Sequence, residues 1–372
     1  MKQIVIAFLI ILGLSPAILA QEGFKITGRL GGSLGGNLVL VGSSSEGAVK
    51  LGETTMIDGN FEFSGSVEGV MPAYILTEEQ QPIATVMLEN LEYTLVAGES
   101  GIEVLGGGES QKIWNEFEVI NRHVLKEKMK MEQEGRAAYA QQNQMKLQAL
   151  QQQFAKIATD AEAKQLDLFK KYKDSFVSAF MIASGMQQMD YVSLKTLYDM
   201  LGENVQANFY GQLIARQLMA LKQIEPGSVG PDFQGVTAAG ETITLHGVKA
   251  KVKLVDFWAS WCGPCRQEMP NVSKIYKKYH ELGLEIIGVS LDKKVEEWTK
   301  AMKEEKMEWL NMIDMESRIA RLYFVRGIPH TILLDENNRI IAKDLRGKQL
   351  EKKIAELLKI SGVEIWIVIK TG

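Results

Sequence analysis

Two cysteines, Cys262 and Cys265, stand three positions apart, and the 372-residue chain contains no others. Two thiols one helical turn apart can alternate between dithiol and disulfide. If one is held as a thiolate, it can attack a disulfide in another molecule and leave the second to finish the exchange. The count also excludes alternatives. There is no disulfide framework and no four-cysteine zinc site. A c-type haem attachment needs histidine after the second cysteine, where this sequence has Arg266. A bridge across so short a span adds little stability, so the pair points to chemistry.

The flanking residues describe what must hold the pair. Lys253 to Trp258 reads as a buried strand, and Met269 to His280 has helical character with Pro270 as a kink. Cys262 then falls at a helix N-terminus, where free amides and the positive dipole end favour a thiolate. Pro264 is tolerated in the first turn because amides there lack intrahelical partners. Gly263 and Pro264 separate the two sulfurs.

The run Val255-Asp256-Phe257-Trp258-Ala259-Ser260-Trp261-Cys262-Gly263-Pro264-Cys265 resembles the thioredoxin active-site segment. Its continuation, Arg266-Gln267-Glu268-Met269-Pro270, is similar to the exported TlpA/ResA-like branch. Gly327-Ile328-Pro329 before the strand Thr331–Asp335 resembles the thioredoxin cis-proline loop. The resemblance covers about residues 226–360 and implies an α/β thioredoxin-like domain. It implies Cys262 as nucleophile, Cys265 as resolving thiol, and Asp256 as a buried carboxylate assisting proton transfer. Glu268 matches a carboxylate that some ResA-like proteins keep near the site. The resemblance implies that Ile328 and Pro329 present backbone to an incoming peptide, beside Trp261, Gly263 and Pro264, with Trp258 and Trp261 packing under and beside the dithiol. His330 follows Pro329 and would be incidental. One departure stands out: thioredoxins pair the buried carboxylate with a lysine on the next strand, and Gly288 occupies the matching place here.

Upstream, glycine and proline divide the chain. Residues 21–110 hold 17 of the 34 glycines, and residues 111–225 hold no proline. Short alternating strands, with an Asp58-Gly59 hairpin turn, predict a small antiparallel β sandwich or barrel over 21–108. No catalytic constellation occurs there. Residues 109–225 carry apolar positions at helical spacing and predict a helical region, either one long helix or an antiparallel pair. Ser175 or Asp174 is the expected cap of a helix beginning at Phe176. Ile224 to Pro231 marks the boundary to a thioredoxin-like domain over 226–362. A β-prone tail, 363–372, follows.

The first 20 residues have the order of a cleavable signal peptide: one lysine, an apolar run, Pro16, and small residues before Gln21. They predict export to the periplasm or cell envelope. The formal charge of −4 gives no basic surface for nucleic acid. No cofactor and no metal are expected. The expected partners are client proteins with disulfides, including apocytochromes c, and a membrane thiol relay as electron donor. Two other readings stay open: a disulfide isomerase dimerised through the helical region, and a binding or scaffold protein whose dithiol senses redox state.

Overall fold

The structure is a computed structural model that describes residues 23–31, 35–98 and 101–359. The expected signal peptide and β-prone tail lie outside the described residues. The described chain packs as two units. One runs to Phe180 and includes Met200–Phe209; the other comprises Met181–Asp199 and Tyr210 onward. The helical segment is therefore divided between the two.

The first unit opens with eight strands: β1 (Phe24–Arg29), β2 (Gly36–Ser44), β3 (Gly47–Met56), β4 (Asn60–Gly65), β5 (Met71–Thr77), β6 (Pro82–Leu88), β7 (Glu92–Gly98) and β8 (Gly101–Gly106). They form two four-stranded sheets, ordered β4-β1-β7-β8 and β3-β2-β5-β6. Alternation along β1 buries Phe24 and Ile26 against Leu38, Leu40, Phe61 and Phe63, so the inner faces share one core. The expected antiparallel domain needs one correction, because β1 and β7 pair in parallel. Between them the chain passes through β2 and β3, returns to the first sheet as β4, and crosses again through β5 and β6; parallel pairing needs such a long connection.

The Asp58-Gly59 turn forms, with both residues at positive φ, and Ile57 and Asn60 exchange backbone hydrogen bonds across it. It does not lead into a continuous hairpin. β3 joins one sheet and β4 the other, so the turn is a corner that puts Met56, Phe61 and Phe63 into the shared core.

Next come α1 (Glu109–Ala140) and α2 (Gln144–Lys171). They form the antiparallel pair, with Phe117 against Phe169 and Gln165 donating to Asn121. The Asn143 side chain caps α2 by accepting from the Lys146 amide. Buried Gln111 accepts from the Met87 amide, which ties α1 to β6. α3 (Phe176–Gly185) begins after Ser175, whose hydroxyl accepts from the Val177 amide. α4 (Tyr191–Met200), α5 (Glu203–Gln206) and α6 (Phe209–Lys222) complete the helical stretch.

The second unit holds β9 (Gln234–Val236), β10 (Thr242–Thr244), β11 (Val252–Trp258), α7 (Gly263–Tyr279), β12 (Leu284–Ser290), α8 (Val295–Glu304), β13 (Leu310–Ile313), α9 (Arg318–Leu322), β14 (His330–Asp335), β15 (Ile340–Lys343) and α10 (Gly347–Leu357). Its main sheet is ordered β13-β12-β11-β14-β15. β12 runs parallel to β11, and β14 antiparallel. Every residue of β11 is buried, as expected of a central strand covered on both faces. Val252, Leu254 and Trp258 pack with Met269, Val272 and Ile275 of α7. By the two-residue period Asp256 lies on that same face.

Candidate functional site

The C-terminal end of β11 and the start of α7 meet at the cysteines. Cys262 is the N-cap of α7, and Pro264 sits in its first turn. The two sulfurs are disulfide-bonded, 2.03 Å apart, and the Cys265 amide donates to Cys262 Sγ at 3.2 Å. A sulfur that already receives a helix amide is well placed to carry negative charge once reduced. Cys262 is 5% exposed and Cys265 1% exposed, so the first sulfur is the more open to attack or be attacked. Space around Gly263 is open: a Cβ there would meet nothing within 4 Å.

The loop before Cys262 is anchored by buried Asp292. Its carboxylate accepts from the Ser260 amide at 3.0 Å, the Ser260 hydroxyl at 2.6 Å and the Ser290 hydroxyl at 2.7 Å. Replacing Asp292 with alanine strands these donors in the interior. It is expected to cost about 3 kcal/mol of stability, read as a lower urea midpoint.

Asp256 is 4% exposed and lies beneath the dithiol. It lines an enclosed cavity of about 10 Å3 with Cys265, Glu268, Pro329 and Arg346. Burial pushes the Asp256 carboxyl up to about 7; the Glu268 charge acts in the same direction and the Arg346 guanidinium opposes both. Glu268 is held by hydrogen bonds from the Asn271 side chain and the Gly347 amide, each 2.8 Å. The structure thus brings Asp256, Glu268 and Cys265 around one small space.

The register explains the absent lysine. Asp256 pairs with Gly288 on β12, and a Cβ at Gly288 would fall 2.1 Å from Asn311 Oδ1. That oxygen accepts from the buried Trp258 indole at 3.2 Å. The side-chain position is already filled, and the cation near Asp256 comes from Arg346 instead. Arg346 is not marked in the sequence. It follows β15, 90 positions from Asp256, with no local pattern to mark it.

The Ile328–Pro329 peptide bond is cis. Arg346 Nη2 donates to the Pro329 carbonyl. Among the described residues the Ile328 backbone has no hydrogen-bond partner. Trp258 packs in the core with both cysteines, whereas Trp261 is 65% exposed and is not packed beside them as expected. His330 is engaged: its Nδ1 lies 2.7 Å from Asp344, and burial holds its imidazole below the usual range against the pull of that carboxylate.

A central strand ending in a helix-capping disulfide, with a cis-proline loop on the next strand, defines a thioredoxin-fold dithiol protein. Comparison with known proteins narrows this. Residues 225–359 match the Redoxin family, and residues 24–114 match a domain of unknown function, DUF4369. The thiol-disulfide oxidoreductase ResA of Bacillus thuringiensis subsp. konkukian is 30% identical over 138 residues, 37% of this chain and 79% of its own length. The thioredoxin-like protein YneN of Bacillus subtilis is 32% identical over 134 residues, 36% of this chain and 78% of its own. The solved thioredoxin domain of a thiol-disulfide oxidoreductase from Bacteroides vulgatus is 35% identical, covering 36% of this chain and 98% of that domain, with a TM-score of 0.35. The chain belongs to the TlpA/ResA-like thioredoxin family and is a thiol–disulfide oxidoreductase, with an accessory β domain ahead of its catalytic fold. No helix among the described residues is long and apolar enough to cross a membrane.

Proposed function

We propose that the protein is an exported reductase of protein disulfides. The observation that carries this is Cys262 as the cap of α7, receiving the Cys265 amide, beside an unpaired backbone at Ile328. An extended client segment can pair with that backbone and bring its disulfide to Cys262. The Cys262 thiolate attacks one client sulfur, releasing the other as a thiol and forming a mixed disulfide. Cys265 then attacks Cys262 Sγ, giving up its proton, and the client leaves with its second thiol. The client gains two electrons and two protons, and the protein ends as the Cys262–Cys265 disulfide.

Asp256 accepts the Cys265 proton. A carboxyl titrating near 7 suits that task at neutral pH. Glu268 sets how readily it does so, through its like charge, and Arg346 tempers both. An oxidising compartment would leave the product disulfide oxidised, so an electron donor must restore it. A membrane thiol relay fits that need, with apocytochromes c among the acceptors. Residues 1–20, ordered like a signal peptide, support export.

The test is reduction of insulin disulfides with dithiothreitol as donor, run beside refolding of ribonuclease with scrambled disulfides. Fast insulin reduction with weak refolding supports a reductase. Strong refolding by a dimeric protein would make it an isomerase instead.

A further inference from the structure

A second cavity, of about 540 Å3, opens beside the cis-proline loop within the same unit. Pro264, Gly327, Ile328 and Pro329 form one wall. The opposite wall comes from Tyr191, at the start of α4, Leu221, near the end of α6, and Ile224, just after it. These three residues precede the Redoxin match at 225–359, so a thioredoxin fold alone would lack this wall. Two ties hold the walls together. Arg326 donates to the carbonyls of Gln188, at 3.1 Å, and Met189. Lys343 Nζ lies 2.5 Å from Glu225.

The charged groups around the cavity are engaged. Lys343 pairs with Glu225, Asp190 accepts from the Ser193 amide, His330 Nδ1 lies against Asp344, and Arg326 and Arg346 donate to backbone carbonyls. A charged side chain entering here would have to compete with these contacts. Tyr191, Leu221, Ile224, Phe324 and Ile328 supply apolar surface for an uncharged one. A client strand pairing at Ile328 directs alternate side chains to opposite sides, so one residue near its cysteine would face the cavity.

We propose that this cavity is a specificity pocket for a large uncharged side chain, aromatic or branched aliphatic, next to the reactive cysteine of a client. The proposal rests on the reductase reading and adds the client's chemistry to it. The helices ahead of the catalytic fold thereby choose among disulfides that the dithiol could otherwise reduce alike.

The test uses the full chain, pre-reduced, and two disulfide-linked peptide dimers. In one, each five-residue peptide carries phenylalanine on both sides of its cysteine; in the other, alanine stands in both places. The rate constant for protein oxidation is read for each. The phenylalanine dimer is expected to react roughly ten-fold faster, the order that burial of an aromatic side chain supplies. Tyr191→Ala, which removes part of the wall, and Arg326→Ala, which releases it, should each cut that ratio to about two-fold. Comparing a ratio within each variant removes any general loss of activity. Equal rates for the two dimers in the parent, or a ratio unmoved in both variants, would overturn the pocket while leaving the reductase reading intact. Failure of both dimers to react would instead overturn the reductase reading, and the pocket with it.

Discussion

Replacing Cys262 with serine should reduce turnover of any disulfide substrate by on the order of 10³-fold or more, while the fold stays intact. A serine hydroxyl keeps its proton where a cap-position thiol can lose one, and it cannot form a mixed disulfide. The bridge it removes closes a loop of only three-residue separation, so little stability should go with it. The expected pattern is an unchanged circular dichroism spectrum and near-parent thermal midpoint with no measurable insulin reduction. Retained turnover would mean that the chemistry does not run through this sulfur.

The second large effect concerns Asp256. An unfolded chain loses this proton near pH 3.9, whereas the folded protein keeps it until about pH 7. Between those values the folded state holds the extra proton, so stability falls as pH rises through that window. At about 1.4 kcal/mol per pH unit the loss accumulates to about 4 kcal/mol by pH 8. Asp256→Asn removes this dependence. The variant's stability relative to the parent should therefore improve by about 4 kcal/mol between pH 4 and pH 8, measured by urea unfolding. Catalysis should move the opposite way. Without a base for Cys265, resolution of the mixed disulfide should slow about 100-fold, and its pH dependence near 7 should vanish. Glu268→Gln removes the like charge and should shift the parent's midpoint downward, seen by NMR titration of the Asp256 carboxyl. A variant that gains stability but resolves at the parent rate would show that Asp256 is buried for some other reason.

The dithiol was legible because its chemistry is contiguous: strand, cysteines, proline and helix follow one another between Val252 and Tyr279. Pro329 was legible from its flanks. What the fold assembles from distant segments was not. Arg346 reaches the site only because β15 and α10 return to it, and Tyr191 and Leu221 only because helices of an unlike region pack beside the cis-proline loop. The four-residue strand β13 was missed because Leu310–Ile313 is too short to show a period, and its place is fixed by pairing with β12. In the β domain the residue-level signals were sound but the pairing was not. The Asp58-Gly59 turn forms locally, yet burial of Phe61 and Phe63 decides which sheet each flanking strand joins. The role of Gly288 was legible only as a departure, and the Asn311–Trp258 hydrogen bond supplies its cause.

Trapping tests the central claim most directly. With Cys265 changed to serine in the full chain, a mixed disulfide at Cys262 has no resolving thiol and persists. Proteins from the cell envelope recovered under non-reducing conditions, with the linkage mapped by mass spectrometry, should be joined through Cys262 and released by dithiothreitol. Recovery of no adducts, together with a Cys262 thiol that fails to react with iodoacetamide near neutral pH, would contradict the account.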